Sequence, residues 1–310
     1  MNKKSFVSWG IFVLLCIIWG SSFILMKASK EELNWAQIAS LRIFSAGIVL
    51  LPFAVFYFSK IPASKLPLVI LSAICGNLLP AYLFAGAIAK NLDSGLAGIL
   101  NSLTPICVII TGVLFFRSRI EKRKVLGVII GFIGLTLLTL AGNKGLSFEN
   151  LEYTLLVLVA TISYGLNINI VSHYLKDIDP IHLAVVSISI MIIPTAIVLW
   201  RQDFLQLSFS DGATLWSIIN SVTLGVAGTA FATGLFYVLV KRSGGLFASL
   251  VTYGIPFVAI GWGIWDGEKL SVLQIGCLGI ILVGVYLANL PDRQPKSAEL
   301  GLKKMTETSN

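Results

Sequence analysis

Two stretches of this 310-residue chain carry polar residues at a spacing that lets them act together. Asn101, Ser102 and Pro105 fall 151 residues before Thr252, Tyr253 and Pro256. With Ser94 and Gly98, and their mates Gly245 and Ser249, they stand at i, i+4, i+7, i+8 and i+11, one face of a helix. Each proline removes the donor that the carbonyl four residues earlier would use, here Asn101 and Thr252. A helix kinked in this way offers side chains and backbone acceptors to a ligand; the alternative is a bend served by a neighbouring helix, with small residues for close packing. Trp19 and Ser22 match Tyr164 and Asn167 at a shift of 145, and Asn77, Tyr82 and Asn169 add further polar groups. Rings beside amides suit an amphipathic small molecule, the rings covering its body and the amides orienting its head groups. Trp19 and Tyr164 can equally be packing residues.

This is binding chemistry. No HExxH, GxSxG or P-loop pattern occurs, so no catalytic residue is assigned. Cys16, Cys75, Cys107 and Cys277 all fall in apolar runs without CxxC spacing and read as small hydrophobes. His173 and His182 lack metal-ligand spacing, and neither a metal nor a cofactor is expected.

Arg42 is the basic residue deepest in an apolar run, where insertion costs about 2.5–3.5 kcal/mol. Its repeat mate is Ser187. It reads as a structural charge tying its helix to a neighbour's carbonyls, with attraction of an anionic substrate group as the alternative. Lys90 and Lys241, also repeat mates, are candidate gate residues or lysines snorkelling to the interface. No Asp or Glu lies deep in an apolar run; Asp93 and Asp266 are near ends. A buried carboxylate is the usual device for proton coupling or cation binding in a membrane. Its lack argues against a cation-drug antiporter and for a facilitator, exchanger or uncoupled exporter.

These residues must be held by membrane helices. The chain is 56% hydrophobic and 12% charged, with a mean hydropathy of +0.88. About 20 apolar residues cross a bilayer as a helix, and ten such runs lie near 8–28, 34–58, 66–89, 92–116, 124–142, 153–173, 181–200, 214–240, 245–265 and 270–290. The first is a span, not a signal peptide, since no small-residue cleavage site follows it. With the N-terminus inside, sixteen of the 23 Lys and Arg residues fall on the cytoplasmic side and six opposite. The net charge of +8 therefore reports orientation under the positive-inside rule, and no nucleic-acid partner. Both termini are expected in the cytoplasm and the protein in the cell membrane, with residues 291–310 a polar, disordered tail.

The second five spans repeat the first five. Five is odd, so the repeat is inverted, an architecture that switches access to a midplane site by exchanging the conformations of two halves. The expected fold is an all-α integral membrane protein of ten transmembrane helices, two inverted five-helix repeats (8–142 and 153–290) around a central cavity. The stretch Trp19-Gly20-Ser21-Ser22-Phe23 with Lys27, then Arg42, the Pro105 and Pro256 spans, and Gly267-Glu268 leading to Gly276 carry a resemblance. The chain resembles the EamA-type, ten-span branch of the drug/metabolite transporter superfamily, over roughly residues 8–290. It departs from the family at Arg119, where an acid matching Glu268 is common. The resemblance implies transport of a small organic metabolite such as an amino acid, and leaves the cargo open. An intramembrane enzyme, a channel and a membrane scaffold are the other classes. Gly127, Gly131 and Gly134, with Gly276, Gly279 and Gly284, read as helix-packing faces. The partners expected are the metabolite and the bilayer, with the protein a monomer or a homodimer.

The charge bias places Lys122 and Lys144 on opposite faces of the membrane. Single cysteines at these positions, in a cysteine-free background, are expected to react with an impermeant maleimide from opposite sides of oriented vesicles. Same-side reaction would remove both this topology and the inversion of the repeat.

Overall fold

The computed structural model describes residues 3–29, 32–90, 97, 100–141, 151–265, 271–288 and 290. Asp93, Ser94, Gly98, Lys144, Asp266, Gly267, Glu268, Lys269 and the 291–310 tail lie outside them, and of Lys27 only the backbone is described. Among the described residues every regular element is helical. In chain order these are α1 (Lys3–Ser29), α2 (Trp35–Tyr57), α3 (Leu66–Ala73), α4 (Leu79–Ala89), α5 (Thr104–Phe116), α6 (Lys122–Leu140), α7 (Leu151–Tyr174), α8 (Pro180–Ile190), α9 (Ile192–Arg201), α10 (Gly212–Gly225), α11 (Ala232–Ser243), α12 (Gly245–Ser249), α13 (Val251–Trp265) and α14 (Val272–Ala288).

Six apolar rods are long enough to cross a bilayer: Ser5–Ser22, Trp35–Lys60, Ala63–Ala89, Glu152–Tyr174, Pro180–Arg201 and Gly212–Ser243. Thr104–Phe116, Gly245–Val258 and Val272–Ala288 are apolar but shorter, and α6 opens on Lys122, Arg123 and Lys124. Ten full-length spans are thus more than the described residues contain. Two rods owe their length to a wide, π-helical turn at mid-span. Ile74–Leu78 joins α3 to α4, and Val226–Phe231 joins α10 to α11. Helix starts follow local chemistry. Asn34 and Gln37 form a reciprocal capping box at α2. Asp179 caps α8, and Asp211 caps α10. Hydrogen bonds from the Thr214 backbone and then its hydroxyl hold the Asp211 carboxyl below its usual range.

The outside of the bundle is apolar. Val55 and Phe56 are 72% and 71% exposed, an arrangement water would penalise and lipid does not. The inside carries the polar groups: Ser72, Thr161, Ser187 and Thr195 are wholly buried. Most such hydroxyls bond back to their own helix, as Thr161 does to the Val157 carbonyl (2.8 Å) and Thr195 to that of Met191 (2.7 Å).

The two halves of the chain interleave. α1 packs on α13, α10 and α11, while α7 packs on α5 and α4. Close approach at the first pair comes from Gly20, where a Cβ would stand 2.7 Å from Val258 Cβ. At the second it comes from Gly165, where a Cβ would stand 2.8 Å from Cys107 Cβ. α6 and α14 form the tightest seam. Gly276 and Gly279 take no part in it, having nothing within 4 Å. A methyl at Gly284, in contrast, would lie 2.5 Å from Gly131 Cα and 2.7 Å from the Gly127 oxygen. Tyr253 is fully buried beside this seam, its hydroxyl donating to the Val128 carbonyl at 2.8 Å.

Backbone faces backbone at Gly284, so a side chain there has no flexible neighbour to displace. Gly284→Ala is expected to lower stability by about 1–3 kcal/mol, read as a reduced folded fraction and a lower Tm in detergent. Tyr253→Phe removes the hydrogen bond between α13 and α6 while the Val128 carbonyl keeps its own helix's N–H, and should cost about 0.5–1.5 kcal/mol in the same assay. An unchanged Tm for both would show that this seam does not carry the fold.

Candidate functional site

A cavity of about 140 Å³ lies where the two halves meet. α1 supplies Trp19, Ser22 and Met26, and α2 supplies Arg42. The first wide turn and α4 supply Gly76, Asn77 and Phe84. The α5 entrance adds Asn101 and Thr104, and α7 adds Tyr164 and Asn167. The second wide turn and α11 bring Gly228, Thr233, Phe236 and Tyr237, and the α12–α13 junction brings Ser249 and Thr252.

Much of the wall is fixed by its own hydrogen bonds. The Trp19 indole N–H donates to the Gly228 carbonyl (2.9 Å), a backbone acceptor in the second wide turn, and its ring lies 5.3 Å from that of Phe236. Ser72 donates to Asn167 Oδ1 (2.6 Å), and the Tyr237 hydroxyl lies 3.3 Å from Ser72 Oγ. Thr233 donates to Asn77 Oδ1 at 3.4 Å. Ser22 is satisfied by the Ile18 carbonyl (2.8 Å) of its own helix. Two buried polar atoms on the wall have no partner among the described residues: the donor Asn77 Nδ2 and the acceptor Asn101 Oδ1.

Of the residues expected from sequence at a binding site, Trp19, Ser22, Asn77, Asn101, Tyr164, Asn167 and Thr252 line this cavity. Tyr82, Ser102 and Tyr253 do not. The Tyr82 hydroxyl is held by Ser40 Oγ (2.5 Å) between α2 and α4. Ser102 is fully buried away from the wall, and Tyr253 belongs to the α6 seam. Pro105 is not a mid-helix kink. Residues 102–103 form a turn, and Pro105 occupies the first turn of α5, where a missing N–H is tolerated. The Asn101 carbonyl it frees is taken by the Thr104 hydroxyl (2.5 Å). Pro256 does lie inside its helix, α13. Arg42, read as a structural charge with attraction of an anionic substrate group as the alternative, lines the cavity while its Nε donates to Thr229 Oγ1 at 2.8 Å. Lys241 bonds the Ile178 carbonyl (3.3 Å), and Lys90 is exposed at the end of α4.

Thr229, Thr233, Phe236 and Tyr237 escaped the sequence reading. They recur at i, i+4, i+7 and i+8, the same one-face signal that marked the Asn101 stripe.

The two ends of the cavity differ. Ten residues towards the start of α1, about 15 Å from Trp19, the rings of Trp9, Phe12 and Phe247 meet at 5.2–5.4 Å. Ser243 donates to Ser8 at 2.8 Å on the same side, and Lys65 pairs with Asp177 at 3.2 Å. At the other end, Met26 and Ile88 are shared with a second cavity of about 230 Å³, lined also by Leu33, Asn34 and Trp35.

The model of the EamA-like transporter family matches the chain twice, over residues 8–140 and 152–290. An "uncharacterized transporter" of Archaeoglobus fulgidus is 30% identical over 285 residues, covering 90% of this chain and 97% of the relative. The "uncharacterized inner membrane transporter YedA" of Escherichia coli is 26% identical, covering 91% and 90%. A WAT1-related chloroplastic protein of Arabidopsis thaliana is 23% identical, covering 94% and 71%. A solved crystal structure shares the fold at a TM-score of 0.69 and 15% identity, over 91% of this chain and 96% of the other. With apolar membrane-length helices, a cavity between them and both matches to one model, this chain is a membrane transporter and belongs to the EamA-like transporter family.

Proposed function

We propose that the chain is a secondary carrier that moves a small organic metabolite, such as an amino acid, through the membrane by alternating access. The observation that carries the reading is the cavity built from both halves of the chain, with Asn77 Nδ2 and Asn101 Oδ1 left without partners among the described residues. Inside a bilayer such atoms are costly unless a ligand or water serves them. The cavity is the substrate site, and Trp19, Ser22, Asn77, Asn101, Tyr164, Asn167 and Thr252 are its substrate-facing residues.

Ten spans in two inverted repeats are the frame for this movement. Three features support it. The family model matches each half separately. The wide turns Ile74–Leu78 and Val226–Phe231 stand 152 residues apart. Gly20 meets Val258 as Gly165 meets Cys107, pairs related by shifts of 145 and 151. A carrier made of two such halves has two equivalent states. In the present one, the Trp9–Phe12–Phe247 cluster and the Ser8–Ser243 and Lys65–Asp177 contacts close one end, and the Met26–Ile88 vestibule leads away from the other. With both termini cytoplasmic, the closed end is the inner one, and Lys241 belongs to that inner gate through Ile178.

Substrate-dependent counterflow in proteoliposomes tests the function, with an extract of small metabolites as the first source of substrate. A carrier exchanges a labelled metabolite against unlabelled internal pools, whereas an enzyme, channel or scaffold does not. Asn101→Ala and Thr252→Ala are each expected to weaken apparent affinity about two- to tenfold. Their effects should be non-additive in the double variant, because both touch one bound molecule. Absence of counterflow for every metabolite retained would overturn the carrier reading. Unchanged affinity in both variants would move the site away from this stripe.

A further inference from the structure

The cavity wall contains one charged residue among the described residues, Arg42. Its Nε–H is committed to Thr229 Oγ1 at 2.8 Å, which fixes the plane of the guanidinium. Thr229 is itself 3% exposed and sits in the second wide turn, so the anchor is rigid. The remaining guanidinium N–H groups have no carboxylate or hydrogen-bond partner among the described residues. A neutral hydroxyl does not compensate a full charge, and an uncompensated cation inside a bilayer is held at a cost. The donor Asn77 Nδ2, on a side chain 8% exposed, is also unpartnered on this wall, as is the acceptor Asn101 Oδ1. Donor groups of one positive site and one amide, with a single acceptor, match a specific ligand chemistry. A planar fork of N–H groups pairs best with a carboxylate. A dianionic phosphate would call for a second cation, and neither Lys90 nor Lys241 lines the cavity.

We propose that Arg42 is the anion-recognition residue of the transported molecule, and that the site takes a small organic acid bearing one carboxylate. The carboxylate accepts from the free edge of the guanidinium and from the Asn77 amide. Asn101 Oδ1 accepts a donor on the same ligand, whose apolar body lies against Trp19, Phe84 and Phe236. This assignment rests on the carrier reading and adds the charge of the cargo to it.

The test uses the purified full-length protein in detergent and thermal unfolding. Small carboxylates are compared with their own carboxamides: benzoate with benzamide, phenylalanine with phenylalaninamide, leucine with leucinamide. Inorganic phosphate is a separate arm. At least one carboxylate is expected to raise Tm where its amide does not. Arg42→Gln, which keeps an amide donor for Thr229, should weaken that ligand roughly tenfold or more, the loss expected for a charged hydrogen bond. Arg42→Lys should lose less. If Arg42→Gln does not fold, the carboxylate–amide comparison on the unaltered protein decides alone. Equal stabilisation by amides, preference for phosphate, no response to any carboxylate, or undiminished binding in Arg42→Gln would each overturn the proposal. Counterflow of a neutral metabolite that persists in Arg42→Gln would overturn it too, while leaving the carrier reading intact.

Discussion

Hydrocarbon offers no hydrogen bonds, and the structure follows from that constraint. Side chains that would be buried in water face outward, and hydroxyls, amides and one guanidinium are turned in. Each inward polar group then needs a partner made of protein. Ser40, Thr111, Thr161 and Thr195 find theirs in the carbonyl of their own preceding turn. Asn169 reaches across to the Val108 carbonyl (2.9 Å) and so ties α7 to α5. Where the backbone itself departs from α geometry, side chains repair it: Thr104 serves the carbonyl freed by Pro105, and Trp19 uses a carbonyl in the second wide turn.

That pairing is incomplete: among the described residues Ser189 Oγ, Asn220 Nδ2 and Ser221 Oγ lack a partner away from the cavity, and Asn77 Nδ2 and Asn101 Oδ1 lack one on its wall. Only the two on the wall are within reach of a molecule that enters the cavity. The same wall is mostly carbon, so a molecule held there would be stripped of water on most sides and oriented by few contacts. The hydrogen bonds are then strong individually, because little competes with them.

Most of this was readable from residues alone, because polar side chains at mid-span are rare and so informative. Asn77, Asn101, Tyr164, Asn167 and Thr252 stood out on that ground and line one cavity. Adjacent positions misled for a geometric reason: successive residues turn by about 100° around a helix. Ser102 and Tyr253 therefore point away from the wall that Asn101 and Thr252 face. Tyr82 looked available only because its partner, Ser40, lies on another helix, beyond what a linear pattern reveals. Span counting failed differently. The apolar run near 92–116 read as one span, although a turn at residues 102–103 makes α5 start at Thr104. Arg42 was visible as a cost, but its two-sided use, Thr229 on one edge and the cavity on the other, needed coordinates.

The interleaving of the halves has a consequence for how the protein is made. α1 ends at Ser29, and its partner α13 starts at Val251, about 220 residues later. At roughly 5–20 residues synthesised per second, that gap lasts about ten to forty seconds. For that time the groove at Gly20 and the Trp19 indole wait without α13 and the Gly228 carbonyl, covered by lipid or by the insertion machinery. Neither half can mature by itself, since each holds a helix that belongs structurally to the other. A chain stopped after its first half would leave the face of α1 around Gly20 without α13 to fill it.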